Sequence, residues 1–365
     1  MMRRTFLQST AGLTLAQAQA QTPAAPANPI RLGFDSYSVR SFGWHAMELL
    51  DYAAKLKLDG IQFSSLGDFE TLEPAYLGTV KQRAAKLGIR IDAGIGCICQ
   101  SSQGYNPKDG SPSDYLARGL RAASALGAAS MRCYLGARAD RSGSKPIEAL
   151  MEEVVRSFRS VRSQAVDSGV KIALENHSGD LEADEVKTVI EESGKDYVGS
   201  CLDSGNPMWL LEDPLYALEV LGPYVVTTHI RDSAVWEHPR GAAFQWLALG
   251  DGNIDFTKFI AKYRQVCPGA TMQLEIITGR PPSVLPYLEP AYWKAQPKMR
   301  AEKLSRFLAI ARNGAPFGGF MIVADGLNPR PPEYEAALKQ QQRVDLERSF
   351  EYAKKILGVG VRGRA

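Results

Sequence analysis

Lys171-Ile172-Ala173-Leu174-Glu175-Asn176-His177 opens as a β-type run and ends on a carboxylate before breaking into polar residues. Successive strand side chains point to opposite faces, so Ala173 and Glu175 share one face while Ile172 and Leu174 take the other. The pattern recurs downstream in Ser200-Cys201-Leu202-Asp203, Val225-Val226-Thr227-Thr228-His229 and Met272-Gln273-Leu274-Glu275. Each of these runs closes on an ionisable group, and the residue just before it (Leu174, Leu202, Thr228, Leu274) points away from it. Working outward, apolar or β-branched runs at 30–34, 60–64, 90–94 and 130–135 join those at 171–175, 198–203, 225–230 and 272–276 to make eight strands. Helix-like stretches at 44–56, 73–87, 113–126, 146–168 and 184–193 lie between them, several stopped by glycine as in Lys86-Leu87-Gly88 and Leu126-Gly127. Eight such beats predict an α/β chain folded as a (β/α)8 TIM barrel over 29–277 and 333–357. An open doubly wound sheet would need a glycine-rich phosphate turn after the first strand, and Gly33-Phe34-Asp35-Ser36 is not one.

One stretch departs from the beat. Residues 278–332 carry Pro281-Pro282, Pro286-Tyr287, Pro290, Tyr292-Trp293 and Pro297, then a helix-like run at 298–313. This reads as an insertion after strand 8, over the face where barrels build their sites, serving as a lid or as an oligomer contact. A helix at 333–357 follows. The composition is that of a soluble globular protein: 365 residues, 45% hydrophobic and 23% charged, with no apolar run near the ~20 residues that span a bilayer. A formal charge of +3 gives no basic excess for nucleic acid or a membrane surface. The five cysteines are too scattered for a disulfide framework or a zinc knuckle and read as buried small side chains.

The beginning, Met1-Met2-Arg3-Arg4-Thr5-Phe6-Leu7, a mild apolar stretch and Ala18-Gln19-Ala20 resemble a bacterial twin-arginine signal peptide over 1–20, with an Ala/Pro-rich linker at 21–28. The resemblance implies the twin-arginine export machinery as a partner and a periplasmic or otherwise exported protein. Loss of Arg3 and Arg4 would bring the charge from +3 to +1.

By parity Glu175, Asp203, His229 and Glu275 meet at one level of the barrel mouth. Three carboxylates in a low-dielectric mouth repel one another, and a divalent cation resolves that repulsion. Three oxygen ligands and an imidazole suit manganese, zinc, cobalt or iron, with magnesium less suited to the nitrogen. His177 and Arg231 lie two residues beyond Glu175 and His229 and should rise above the site as contacts for substrate. Asn206, Trp236 and His238 are further substrate-binding candidates.

Ala173-Leu174-Glu175-Asn176-His177, Leu202-Asp203-Ser204-Gly205-Asn206, Thr228-His229-Ile230-Arg231-Asp232, the run from Leu249 to Phe256 and Leu274-Glu275 together resemble the xylose isomerase-like TIM-barrel superfamily, in particular its sugar phosphate isomerase/epimerase branch. The resemblance spans roughly residues 30–277. It implies that Glu175, Asp203, His229 and Glu275 are metal ligands, commonly for manganese, and that Glu175 and Glu275 are the catalytic acid and base of a ketose epimerase. The chain has Asn206 where the family usually has histidine. It also has Gln62-Phe63-Ser64 and Gly94-Ile95-Gly96 where the DNA-repair endonuclease branch carries further histidines. With four histidines in all, a three-metal nuclease site is not expected.

The expected activity is metal-dependent isomerisation or epimerisation of a keto sugar or related polyol, by proton abstraction beside a carbonyl through an enediolate. Elimination of water or an aglycone from a keto sugar or oxidised glycoside by a lyase is the alternative, and a non-catalytic sugar-binding barrel is the rival of another class. The partner expected is a small carbohydrate, with no nucleic acid and no stable membrane insertion; a homo-oligomer fits the insertion.

Overall fold

A computed structural model describes residues 29–267, 269–323 and 329–362. The expected signal peptide and linker lie outside the described residues. Eight parallel strands form the barrel: β1 (Arg31–Asp35), β2 (Gly60–Phe63), β3 (Arg90–Cys97), β4 (Ser130–Tyr134), β5 (Lys171–Glu175), β6 (Val198–Asp203), β7 (Val225–His229) and, after the hairpin β8 (Asp232–His238) and β9 (Gly241–Leu247), β10 (Thr271–Leu274). Each barrel strand pairs with the next, and β10 pairs with β1. The seam between β7 and β10 is joined at Ile230, whose N–H donates to Gln273 O at 2.9 Å and whose carbonyl accepts from Glu275 N at 3.0 Å. Just below, the Thr228 hydroxyl stands in for a ladder carbonyl and accepts from Gln273 N at 2.9 Å. The fold is thus the expected TIM barrel, with its eighth strand beginning and ending earlier than 272–276.

The helical layer follows from local chemistry. Helix α3 (Pro112–Leu126) has Ser111 accepting from Asp114 N at its start, proline at its first position and Gly127 at φ 66° to stop it. The segment 146–168, read as one helix from its periodicity, is two: α4 (Ile147–Ser160) and α5 (Arg162–Ser168), broken at Val161. The outward strand residues Leu32, Phe34, Ile61, Ile172, Leu174, Leu202, Met272 and Leu274 are buried against the helices. Phe34, for example, meets Tyr52 and Phe350 edge-on.

The barrel interior has the opposite character. Gly33 leaves no room for a Cβ, which would lie 2.4 Å from Gly60 O, and Gly94 is as tightly placed against Ser64 O at 2.5 Å. In the space so closed, Gln273 Nε2 donates to Asp92 Oδ2 (3.0 Å), Ser130 Oγ donates to Asp92 Oδ1 (2.8 Å) and Thr227 Oγ1 donates to Gln62 Oε1 (2.8 Å). β10 and β3 are not neighbours, nor are β7 and β2, so the first and third of these bonds cross the interior. A hydrogen-bonded polar layer therefore lies under the mouth, with Gln273 Oε1 buried and without a hydrogen-bond partner.

The insertion is not a free-standing flap. Its strand β11 (Ser283–Leu285) pairs antiparallel with β9 of the hairpin, giving a three-stranded sheet β11-β9-β8 beside the mouth. Phe244, Trp246, Leu285, Tyr292 and Phe307 form a second core there, with Phe307 supplied by the helix Ala301–Arg312. All five cysteines are buried and free, as expected. Among the described residues no helix is long and apolar enough to cross a membrane.

Candidate active site

Glu175 closes β5, Asp203 closes β6, His229 closes β7 and Glu275 follows β10 by one residue. One ligand atom from each lies within 4.8 Å of the others, and all four residues are buried. His229 has two different sides. Its Nδ1 is 3.3 Å from Glu175 Oε1 and 3.6 Å from Glu275 Oε2, while its Nε2 is 3.3 Å from Asp35 Oδ2 and touches the Gln62 amide. Nδ1 is therefore the nitrogen aimed at the carboxylates, and Asp35 is placed to accept a proton bond from the other one. Asp35 is itself held by Gln62 Nε2 at 3.2 Å and accepts from Tyr37 N at 2.9 Å.

Two arginines answer the negative charge. Arg132, on β4, bonds Glu175 through Nε and packs over the Tyr134 ring. Arg231 reaches Asp203 Oδ2 at 2.8 Å with Nη1, which also bonds Glu275, and its guanidinium lies 4.3 Å from the centre of the Trp246 ring. Asn206 joins the halves, donating Nδ2 to Glu175 Oε1 at 3.1 Å and accepting Arg231 Nη2 at 2.9 Å. Burial raises the Glu175 carboxyl, but Arg132 and His229 outweigh it and hold the group well below its ordinary value. Burial pushes Asp203 up to about 7 against the pull of Arg231. Burial lowers His229, yet Cys201, Glu275, Glu175 and Asp35 leave it well above its ordinary value. In this form the cluster is charge-compensated by side chains and a proton.

The compensation is incomplete. Asp203 Oδ2 is buried with no hydrogen-bond geometry to any donor, Arg231 Nη1 being near but misaligned, and Arg231 Nε is unpartnered as well. A buried carboxylate oxygen held only by an ion pair, beside two further carboxylates and an imidazole nitrogen, fits a divalent cation, and these four side chains are the ones that could hold it.

Above the cluster lies a cavity of about 840 Å³. Glu275, Arg231, Asn206, Arg132 and His177 reach its surface, whereas Glu175, Asp203 and His229 sit beneath them. His177 stacks on Tyr134 at 3.8 Å and donates Nδ1–H to Gly136 O at 2.6 Å, which leaves Nε2 as an acceptor. Burial pulls its pKa down to about 4, so the ring is neutral at neutral pH. Trp236 and His238 are placed differently from the expectation. They ride on β8 toward the hairpin tip, where Arg240 N donates to His238 Nδ1, and neither lines the cavity. Phe244, Gln245 and Trp246 of the partner strand line it instead, together with Trp209. Tyr287, Tyr292 and Trp293 belong to the second core and do not line the cavity.

The sequence reading passed over Arg132 and Asp35. Arg132 was legible in the alternation Ser130-Met131-Arg132-Cys133-Tyr134, whose polar members share the inward parity. Asp35 carried a weaker sign, a carboxylate at the tip of the first strand.

The family model of the xylose isomerase-like TIM barrel matches residues 50–304, more than half of the chain. The chain belongs to the xylose isomerase-like TIM barrel family. Among curated proteins it is similar to 3-oxo-isoapionate decarboxylase of Pectobacterium atrosepticum, 26% identical over 231 residues that cover 63% of this chain and 71% of the relative. Among solved family-like barrels, D-psicose 3-epimerase in the presence of D-fructose aligns with a TM-score of 0.56 at 16% identity, covering 90% of this chain and all of that one. The IOLI protein with a bound zinc atom aligns with a TM-score of 0.53 at 15% identity, covering 77% of this chain and 96% of that one. At such identities the two structures establish the shared fold.

Proposed function

We propose that the protein is a sugar isomerase or epimerase that depends on one divalent cation, manganese in the first place with zinc, cobalt or iron as substitutes. The observation that carries this reading is the meeting of Glu175, Asp203, His229 and Glu275 within 4.8 Å under the floor of a large cavity. A cation held by those four residues would polarise a substrate carbonyl and offset the negative charge that develops on its oxygen. The other work falls to the chain's own groups. Glu275, which reaches the cavity, takes the proton from the carbon beside the carbonyl. Glu175, ionised at rest, takes up a proton from solvent and returns it to the opposite face of that carbon for epimerisation or to the neighbouring carbon for isomerisation, while Glu275 releases to solvent the proton it took. Arg231 and Asn206 hold both carboxylates in place, and neutral His177 accepts a substrate hydroxyl through Nε2.

The test is incubation of the cation-loaded protein with keto sugars in heavy water. Deuterium should enter at the carbon beside the carbonyl without loss of any group. Exhaustive chelation should stop the exchange, and full exchange after chelation would sink the cation requirement. A second reading, lyase chemistry, has its own support in the decarboxylase relative. Loss of a carboxylate, water or an aglycone beside the carbonyl draws on the same charge stabilisation, and release of carbon dioxide, water or aglycone in the same incubation would favour it. The resemblance of residues 1–20 to a twin-arginine signal supports an extension of this reading, in which the barrel is folded and loaded with its cation before export.

A further inference from the structure

Proton transfer beside one carbonyl needs one sugar ring over Glu275 and Arg231, and the cavity is larger than that. Cavities of roughly 300–1,000 Å³ take drug-sized ligands of several rings, and this one, at about 840 Å³, lies toward the upper end. The four-residue cluster draws on β5, β6, β7 and the end of β10, so the reacting ring belongs on that side of the mouth. The cavity continues over the ends of β1 and β2, where none of those four residues stands.

That second wall is already organised. Ser36 Oγ donates to Asp68 Oδ2 at 2.7 Å, and Ser65 N donates to the same oxygen at 3.3 Å. Ser36 Oγ also accepts from Ser64 N at 2.9 Å, which ties the tip of β1 to the tip of β2. Beside this fixed carboxyl and hydroxyl set stand Trp44 and His45, at the entry to the helix Ala46–Lys55, and both line the cavity. Trp44 is braced by Phe42 at 4.3 Å and Tyr52 at 5.1 Å, so its ring cannot turn freely. A held carboxyl with hydroxyls for the edges of a polyol, next to a braced indole for its apolar face, is the chemistry that recognises a sugar ring. None of these residues is needed for the proton transfer.

We propose that Ser36, Trp44, His45, Ser65 and Asp68 form a subsite for a second sugar ring, so that the substrate is an oxidised disaccharide or glycoside rather than a free keto monosaccharide. This rests on the reading above for the ring that reacts. The experiment is calorimetric binding to the manganese-loaded protein of a panel of keto-monosaccharides and of keto-disaccharides built on the same rings, with deuterium exchange followed on the same mixtures. At least one keto-disaccharide should bind tenfold or more tightly than its keto ring alone. Asp68→Ala and Trp44→Ala should each weaken the keto-disaccharide about tenfold while moving the one-ring ligand less than threefold. Circular dichroism shows whether each variant has folded, and Asp68→Asn, which keeps the side chain's size, should give an intermediate loss.

Equal affinities for one and two rings, or an advantage that survives both alanine variants, overturn the subsite even when exchange proceeds. A two-ring advantage lost in the variants but with no exchange in any sugar upholds the subsite and overturns the reaction. Absence of binding by every sugar overturns both.

Discussion

Two clusters of charge in this molecule, one half-buried and one buried, are built from the same materials and end differently. In the insertion, the Lys303 ammonium bonds Glu182 Oε2 and Asp184 Oδ2 at 2.6 Å each and Glu212 Oε1 at 3.4 Å. Its three donors have three acceptors, none of these residues lines the cavity, and the Tyr216 ring covers the ammonium at 5.0 Å. At the mouth, the carboxylates of Asp35, Glu175, Asp203 and Glu275 face Arg132, Arg231 and His229, with Asp203 Oδ2 held by an ion pair to Arg231 and Arg231 Nε without a hydrogen-bond partner. The first arrangement is saturated and staples the insertion to the barrel. The second gathers three carboxylates around one imidazole and opens on a cavity. Opening on a cavity, more than burial or charge, separates this site from this staple.

The comparison can be broken by four measurements. Glu275→Gln should lower solvent exchange by about 10²–10⁴-fold, the scale of a lost general acid–base group, with the melting temperature nearly unchanged. A large drop in melting temperature would instead make Glu275 a structural residue like Lys303. Conversely, Lys303→Met should destabilise the fold by about 3–5 kcal/mol in denaturant unfolding, because it strands buried carboxylates, and should leave cation affinity as it was. Asp35→Asn should weaken cation binding by about 10–100-fold in a chelator competition, since it removes the partner that orients His229. An unaltered affinity would remove Asp35 from the site.

The smallest expected effect is a slope in pH. Burial pushes the Glu212 carboxyl up to about 8 despite Lys303. With its folded value raised, its contribution to stability is fully present below the ordinary value near 4.5 and is lost as pH rises through about 8. Glu212→Gln should flatten the pH dependence of unfolding across that window, and an unchanged slope would show that Lys303 keeps Glu212 ionised throughout.

Much of the mouth was legible because strand periodicity is a local property. Glu175, Asp203, His229 and Glu275 could be assigned a common face from the leucines and threonine beside them, and the structure brings the four together. The hairpin 232–247 was harder to see. Its strands pair with each other and with Ser283–Leu285, so its role is set by a partner some forty residues away rather than by its own alternation. The same distance explains Trp236 and His238. Both stand close in sequence to Arg231, but the hairpin carries them toward its tip and brings Phe244 and Trp246 back over the cavity.

The sequence by itself determined the count of eight strands, the order of the helices and which residues turn inward at the strand ends. Period-two alternation and helix capping act between near neighbours, so each run of a few residues carries its own instruction. Tertiary structure alone decided which nitrogen of His229 faces the carboxylates and that Arg132 and Arg231 divide the charge of the cluster between them. Those outcomes depend on side chains from strands 1, 2, 4 and 7 meeting across a closed barrel, and the closing geometry is a property of all eight strands together.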